Sequence, residues 1–251
     1  MTRNRRQSAV LLGAFAAVVL VVGALLAAVL GPILLVAAAV VALVLAVGAY
    51  LYADRLVLRL SHARPVSPDE EPRYHNLVEG LCVSAGLPKP ELYVVDDDAA
   101  NSFATGRSPA HAAIVVTTGL LQKLSRMELE GVLAHELSHI RSNDILVTAL
   151  GTALVALPLM PAGGLAARLL AALVGRSRES DADVAGVRLT RYPPGLAAAL
   201  EKVRRDGPAT PTVSRATAHL WIWSPLDSDG GGDGRAGGGR LAERIAALRD
   251  M

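Results

Sequence analysis

Residues 135–139 read His-Glu-Leu-Ser-His, an H-E-x-x-H run inside a stretch with helical periodicity. A helix repeats every 3.6 residues, so His135 and His139, four apart, share one face and can meet on one metal ion. Two imidazoles in that relation are a zinc pair, and Glu136 beside them is placed to take a proton from a water at the ion. The chemistry this spacing supports is metal-assisted hydrolysis. The bland alternative is two surface histidines and a solvated glutamate, and the surrounding residues have to decide between the two.

The element that must carry these residues has a marked start. Ser125 and Glu128 form a capping-box pair, and Leu129, Val132, Leu133, Leu137 and Ile140 line an apolar flank at helical spacing. Forty residues after His139 comes Arg178-Glu179-Ser180-Asp181-Ala182-Asp183. Structural zinc sites close with four protein ligands, whereas catalytic ones keep three and leave a place for water. With Cys82 as the single cysteine, a thiolate-rich structural site is excluded. Glu179 is therefore the candidate third ligand of one Zn2+. Asp183, one turn further, is the candidate acceptor for the remaining N–H of a ligand histidine. Read alone, the same acids would be an ordinary charged helix start.

The chain as a whole has 251 residues, and no charged residue occurs from Ser8 to Ala53. About 20 apolar residues span a bilayer, so this stretch holds two spans, near 9–30 and 33–53, divided at Gly31-Pro32. A cleaved signal peptide has a shorter apolar core and no second span behind it. Arg3, Arg5 and Arg6 precede the spans, and Arg55, Arg59 and Arg64 follow them. The positive-inside rule then puts both ends, and the polar domain that follows, in the cytoplasm of a multi-pass plasma-membrane protein. A net charge of +2 without a basic patch gives no case for nucleic acid. The expected partners are a lipid bilayer and a protein or peptide substrate.

Within the polar part, Ser67-Pro68-Asp69-Glu70 predicts a helix start, and Gly86 and Pro88 its end. Residues 91–95 and 112–117 predict strands, the second either a sheet edge bordering the cleft, where an extended peptide would pair, or a purely structural strand. Asp96, Asp97 and Asp98 lack the spacing of a calcium loop and predict a solvated turn. Residues 145–174 are apolar but for Arg168, and are broken by Pro158, Pro161, Gly163 and Gly164. A single crossing here would part His139 from Glu179, so this segment predicts a helical hairpin dipping into or resting on the membrane, with a buried soluble hairpin as the alternative. The organisation expected is a membrane hairpin over 1–60 and a metal-binding domain over 61–226 that includes 145–174. A Gly-rich linker over 227–239 and a terminal helix over 240–251 complete it.

Four segments carry a resemblance to a known family. They are Asn101-Ser102-Phe103-Ala104-Thr105-Gly106; Val115-Val116-Thr117-Thr118-Gly119-Leu120-Leu121; residues 131–140 with Asn143-Asp144; and Ser177-Arg178-Glu179 with Ala182-Asp183. In this order the chain resembles the HtpX-like membrane zinc metalloproteases, relatives of the prenyl-protein CAAX endopeptidases. The resemblance implies a mainly α fold with a small β-sheet: two transmembrane helices followed by a gluzincin-type α+β zinc protease domain. It implies an endopeptidase with His135, His139 and Glu179 on zinc and Glu136 as base, acting in membrane-protein quality control from the cytoplasmic side. Two departures stand out. The insert before Glu179 is short for the family, and Ser224-Pro225 replaces a Thr-His-Pro step. The oxyanion or substrate contact is thus left between His219 and Asn101. The rival from another class is a catalytically silent membrane adaptor that keeps the metal helix as structure. It would be marked by a missing base or ligand, and all four residues are present.

Overall fold

The computed structural model describes residues 33–155, 178–207, 217–223 and 235–251, together with scattered positions between 9 and 31. The first expected span, 9–30, lies largely outside the described residues. The described chain begins with α1, Ile33–Leu60, 28 residues long. At 1.5 Å per residue it measures about 42 Å, more than the ~30 Å of a bilayer core. It is the one described helix long and apolar enough to cross a membrane. Val36, Val40, Leu43, Val44 and Val47 are exposed along it, while Ala53 and Val57 near its end are buried.

Next come β1 (Arg64–Pro65) and α2 (Pro72–Ala85). Ser67 and Glu70 do bond each other's backbone N–H, as a capping pair would. They close a turn, however, and the helix starts at Pro72, whose fixed φ suits a first helical position. The helix ends at Gly86, whose φ of 65° is the left-handed conformation glycine adopts at low cost. Strands β2 (Glu91–Val95), β3 (Ser102–Ser108) and β4 (His111–Thr117) complete a mixed sheet in the order β1-β2-β4-β3. β2 and β4 are parallel; the outer pairings are antiparallel. Between β2 and β3, Asp96 and Asp98 are exposed as a solvated turn would have them, but Asp97 is buried, its Oδ1 accepting the Ala99 N–H and its carbonyl the Gly119 N–H.

The edge of the sheet is not where the pattern placed it. The segment 112–117 is the β-branched one because it is interior, paired on both sides; β1 and β3 are the edges. Gly106 and the irregular register at Gly106/Ser108 hide β3 from a propensity reading.

After α3 (Thr118–Lys123), the long α4 (Arg126–Ser142) starts on the expected capping box, with Glu128 accepting the Ser125 N–H. α5 (Ile145–Val155), α6 (Arg178–Thr190), α7 (Pro193–Asp206), a 3-10 turn (Ala218–Leu220) and α8 (Arg235–Arg249) follow. Two apolar clusters flank the sheet. One joins α2, α4, α7 and α8 to Val94, Ala104, Ile114 and Val116; the other joins α1 and α5 to Val95, Phe103 and Val115. Alternate strand residues face opposite sides, so the sheet is sandwiched between the α4 side and the layer of α1 and α5.

Two expectations are adjusted here. The first arm of the 145–174 hairpin is a helix whose Ile145, Leu146, Ala149 and Leu150 are buried; its remainder lies outside the described residues. Helix α8 begins at Arg235, inside the run expected as linker. Glycine lowers helix propensity by only about 1 kcal/mol each, and the packed stripe Leu241, Ile245 and Leu248 offsets it. Residues 227–234 lie outside the described residues.

Candidate metal centre

Helix α4 is buried on nearly every side from Leu129 to Ile140, with His135, Glu136 and His139 among its enclosed residues. Helix α6 crosses it at close range. A Cβ on Gly186 would meet the His135 backbone nitrogen at 2.9 Å, so only glycine lets the two backbones approach this far. Ser138 Oγ fastens the crossing, bonding the carbonyls of His135 at 2.7 Å and Ala182 at 3.2 Å. Glu179, Asp183 and Gly186 are spaced four and three apart and share the face of α6 turned to α4.

The ligand atoms offered by His135, His139 and Glu179 lie within 4.8 Å of one another. His135 Nε2 is 3.1 Å from His139 Nε2 and 3.4 Å from Glu179 Oε2, and His139 Nε2 is 3.7 Å from Glu179 Oε1. A tetrahedral ion with bonds of about 2.0–2.1 Å separates its ligands by roughly 3.3–3.4 Å.

Each histidine is fixed from behind. His135 Nδ1 is 2.9 Å from Asp183 Oδ1, and His139 Nδ1 is 2.9 Å from Asp144 Oδ2. Asp144 reaches back because Asn143, at φ 63°, ends α4 in the left-handed turn that asparagine tolerates. With a carboxylate behind each Nδ1, both Nε2 atoms are turned toward one another and toward Glu179. Two ring nitrogens at 3.1 Å beside a carboxylate need a cation among them, a proton or a metal ion. The donor set fits a metal ion.

Each aspartate is in turn held by an arginine. Arg244, from α8, forms a two-pronged bond to Asp183, Nε to Oδ2 at 2.7 Å and Nη2 to Oδ1 at 2.8 Å, and its Nη1 lies 3.3 Å from Glu179 Oε2. Arg178 Nε lies 3.1 Å from Asp144 Oδ2, and its Nη2 3.9 Å from Glu179 Oε1. Burial alone would raise the three acids. The His135 hydrogen bond and the His139 and Arg244 charges hold Glu179 well below the usual carboxylate range. Arg244 and His135 lower Asp183, and the charges of His139 and Arg178 lower Asp144. Burial would also lower His135, but its bonds to Asp183 and Glu179 push it up to about 9 in the metal-free protein. Four carboxylates, Glu136 among them, thus face two guanidinium groups and two imidazoles, an acidic surplus that a divalent cation would offset.

Glu136 is buried and accepts a 2.6 Å hydrogen bond from Ser102 Oγ on β3. The other two sequence candidates are engaged elsewhere. The Asn101 amide donates to the Trp223 carbonyl at 3.0 Å and accepts from the N–H of Trp223 and of Ser102, pinning segment 221–223 to the sheet. His219 Nε2 is 3.4 Å from Thr152 Oγ1 on α5. Sequence reasoning missed Arg244 as part of this centre, and saw Ser102, Asp144 and Arg178 only within motifs, without a role. Arg178 alone had a local signal, standing beside Glu179.

Residues 68–251 match Peptidase family M48. Among curated proteins, the Protease HtpX homolog of Paraburkholderia phytofirmans is 34% identical over 283 aligned positions. Those of Burkholderia multivorans and Burkholderia mallei are 32% and 33% identical over the same length. In each case 99% of this chain and 97% of the relative are covered. The aligned length exceeds the 251 residues of this chain, so each relative carries stretches that this one lacks.

Proposed function

The chain belongs to peptidase family M48 and is an HtpX-like metallopeptidase, and on that premise we propose that His135, His139 and Glu179 hold one zinc ion and that Glu136 is its catalytic base. The observation that carries this reading is the convergence of the two Nε2 atoms, 3.1 Å apart, and the Glu179 carboxylate, with an aspartate behind each ring. Zinc, when bound, lowers the pKa of water toward about 7 and polarises a scissile carbonyl. The Glu136 carboxylate takes the proton of the attacking water and returns it to the amide nitrogen, which departs as an amine. Ser102 holds that carboxylate in place before the proton arrives. Asp183 and Asp144 fix the two imidazole tautomers. The Asn101 amide is committed to Trp223, which takes it out of the reacting set.

In this reading α1, with a second span over 9–30, anchors the enzyme in the plasma membrane. The arginines on both flanks support a catalytic domain in the cytoplasm. The substrates we propose are misfolded or damaged membrane proteins. The domain division follows the sequence, with the catalytic part over 61–226 and α8 completing its centre from beyond the Gly-rich run.

The test is zinc content and cleavage of an unfolded protein by detergent-purified wild type and Glu136→Gln. We expect about one zinc in both and cleavage by the wild type alone. Wild-type rates in Glu136→Gln would remove Glu136 from its role, and absence of zinc from both would remove the ligand set.

A further inference from the structure

Helix α1 ends its apolar stretch in a collar. Tyr50 and Tyr52 are exposed, Arg55 lies 5.5 Å from the centre of the Tyr52 ring, and Asp54 is the first charged residue since Arg6. Tyr52 stands about 29 Å along the helix from Ile33, close to the ~30 Å of a hydrocarbon core. Tyrosines with flanking charges mark the membrane–water boundary.

The far end of β3 is tied to this collar. Arg107 Nη1 donates to the Leu51 carbonyl at 3.3 Å and stands 3.9 Å from Asp54 Oδ2. The near end of β3 touches the reacting carboxylate through Ser102. Between Ser102 and Arg107 lie five steps of extended chain, about 17 Å.

The pairing of β3 also decides which of its groups face the edge. The Thr117 N–H donates to the Asn101 carbonyl, so this pair and every second one after it bond inward. Ser102 and Ala104 therefore point their backbone groups away from β4. Ser102 is already satisfied, by Asn101 Oδ1 and by the Ile222 N–H. Ala104 is the next outward residue, on the collar side of Glu136. A peptide added along this edge runs between the catalytic carboxylate and the bilayer surface.

We propose that β3 acts as a ruler, so that the preferred substrate is the juxtamembrane segment of a membrane-inserted protein, cut about five to seven residues from the bilayer surface. This rests on the reading of Glu136 and α1 given above. The two sides of the optimum have different causes. A bond nearer the membrane cannot arrive, because an extended residue spans at most about 3.3–3.6 Å. A bond farther away arrives with an effective concentration that falls gradually with tether length. The distance profile is therefore steep on the short side and shallow on the long side.

The test uses the full-length zinc-loaded protein in lipid vesicles with single-span substrates. Each carries one cleavable block, chosen on a soluble peptide, set about 2, 6, 12 or 24 residues beyond the last apolar residue in a Gly/Ser tail. Cut sites are read by mass spectrometry. We expect essentially no cleavage at the shortest distance, the fastest at about 6–12 residues, and a decline of about threefold or more at the longest. Equal rates at the two shortest positions, or at all four, would overturn the ruler. The soluble peptide separates the two readings. If wild type cuts it, Glu136→Gln does not, and distance has no effect, the ruler alone fails. If the soluble peptide is never cut, the catalytic reading fails and the ruler with it.

Discussion

The two histidines of the metal centre are braced alike, by an aspartate and then an arginine, but from different ranges of the chain. On one side His139, Asp144 and Arg178 lie within a turn of the end of α4 and the start of α6. On the other, His135 and Asp183 are closed by Arg244, 61 residues beyond that aspartate and on the last helix. The distant brace is the tighter one. Arg244 grips both Asp183 oxygens, with its side chain 9% exposed, while Arg178 reaches one oxygen of Asp144 and is 13% exposed. The comparison teaches that the site's firmest support arrives last in the sequence, so the centre is finished only when α8 is docked.

The largest effect separating the two sides should come from the arginines. Arg244→Ala leaves Asp183 as a buried charge with a histidine as its remaining partner, and breaking such a pair costs about 3–5 kcal/mol. Urea unfolding of the detergent-solubilised protein should register that loss, with zinc affinity falling about 10–100-fold. Arg244→Lys restores the charge without the fork, so it should recover stability more than affinity. Arg178→Ala, whose partner keeps His139 on a less enclosed flank, should cost about a third as much. Equal losses from the two alanines would erase the distinction between near and distant support.

Asparagine in place of either aspartate probes the layer between. Asp183→Asn and Asp144→Asn keep the shape and discard the charge that fixes each imidazole, so each should weaken zinc binding by roughly tenfold or more. The Asp183 variant should be the worse, because it also strips Arg244 of its partner. A chelator competition measures both. If Asp144→Asn proves the more harmful, the local brace is the dominant one and the comparison reverses.

These contrasts also explain what could be read from the sequence. The metal helix was legible because capping, apolar spacing and the histidine pair all lie within its own 17 residues. Glu179 and Asp183 were legible because one helical face carries both. What escaped depends on events between elements. Asp144 needs a left-handed turn at Asn143, Ser102 meets Glu136 across 34 residues, and Arg244 meets Asp183 across 61. Strand β3 escaped because its sequence holds Gly106 and few β-branched residues, and pairing rather than propensity makes it a strand. The edge was misplaced for a related reason: sheet order here does not follow chain order, and no local pattern records it.

The smallest effect is expected at Ser102, where the sheet meets Glu136, the base we propose, rather than the candidate metal ligands. Its hydroxyl gives Glu136 a 2.6 Å bond, and a hydrogen bond to a charged group contributes about 1.5–3 kcal/mol. Ser102→Ala removes that bond but no contact to His135, His139 or Glu179, so zinc content and affinity should stay at the wild-type level. Turnover should fall by about tenfold, since the carboxylate loses the contact that aims it. Ser102→Thr keeps a hydroxyl and should return part of the rate, unless its extra methyl, at a fully buried position, displaces the strand. A fall in zinc affinity on Ser102→Ala would mean that the sheet braces the metal as well, so that support for the centre comes from three directions rather than two.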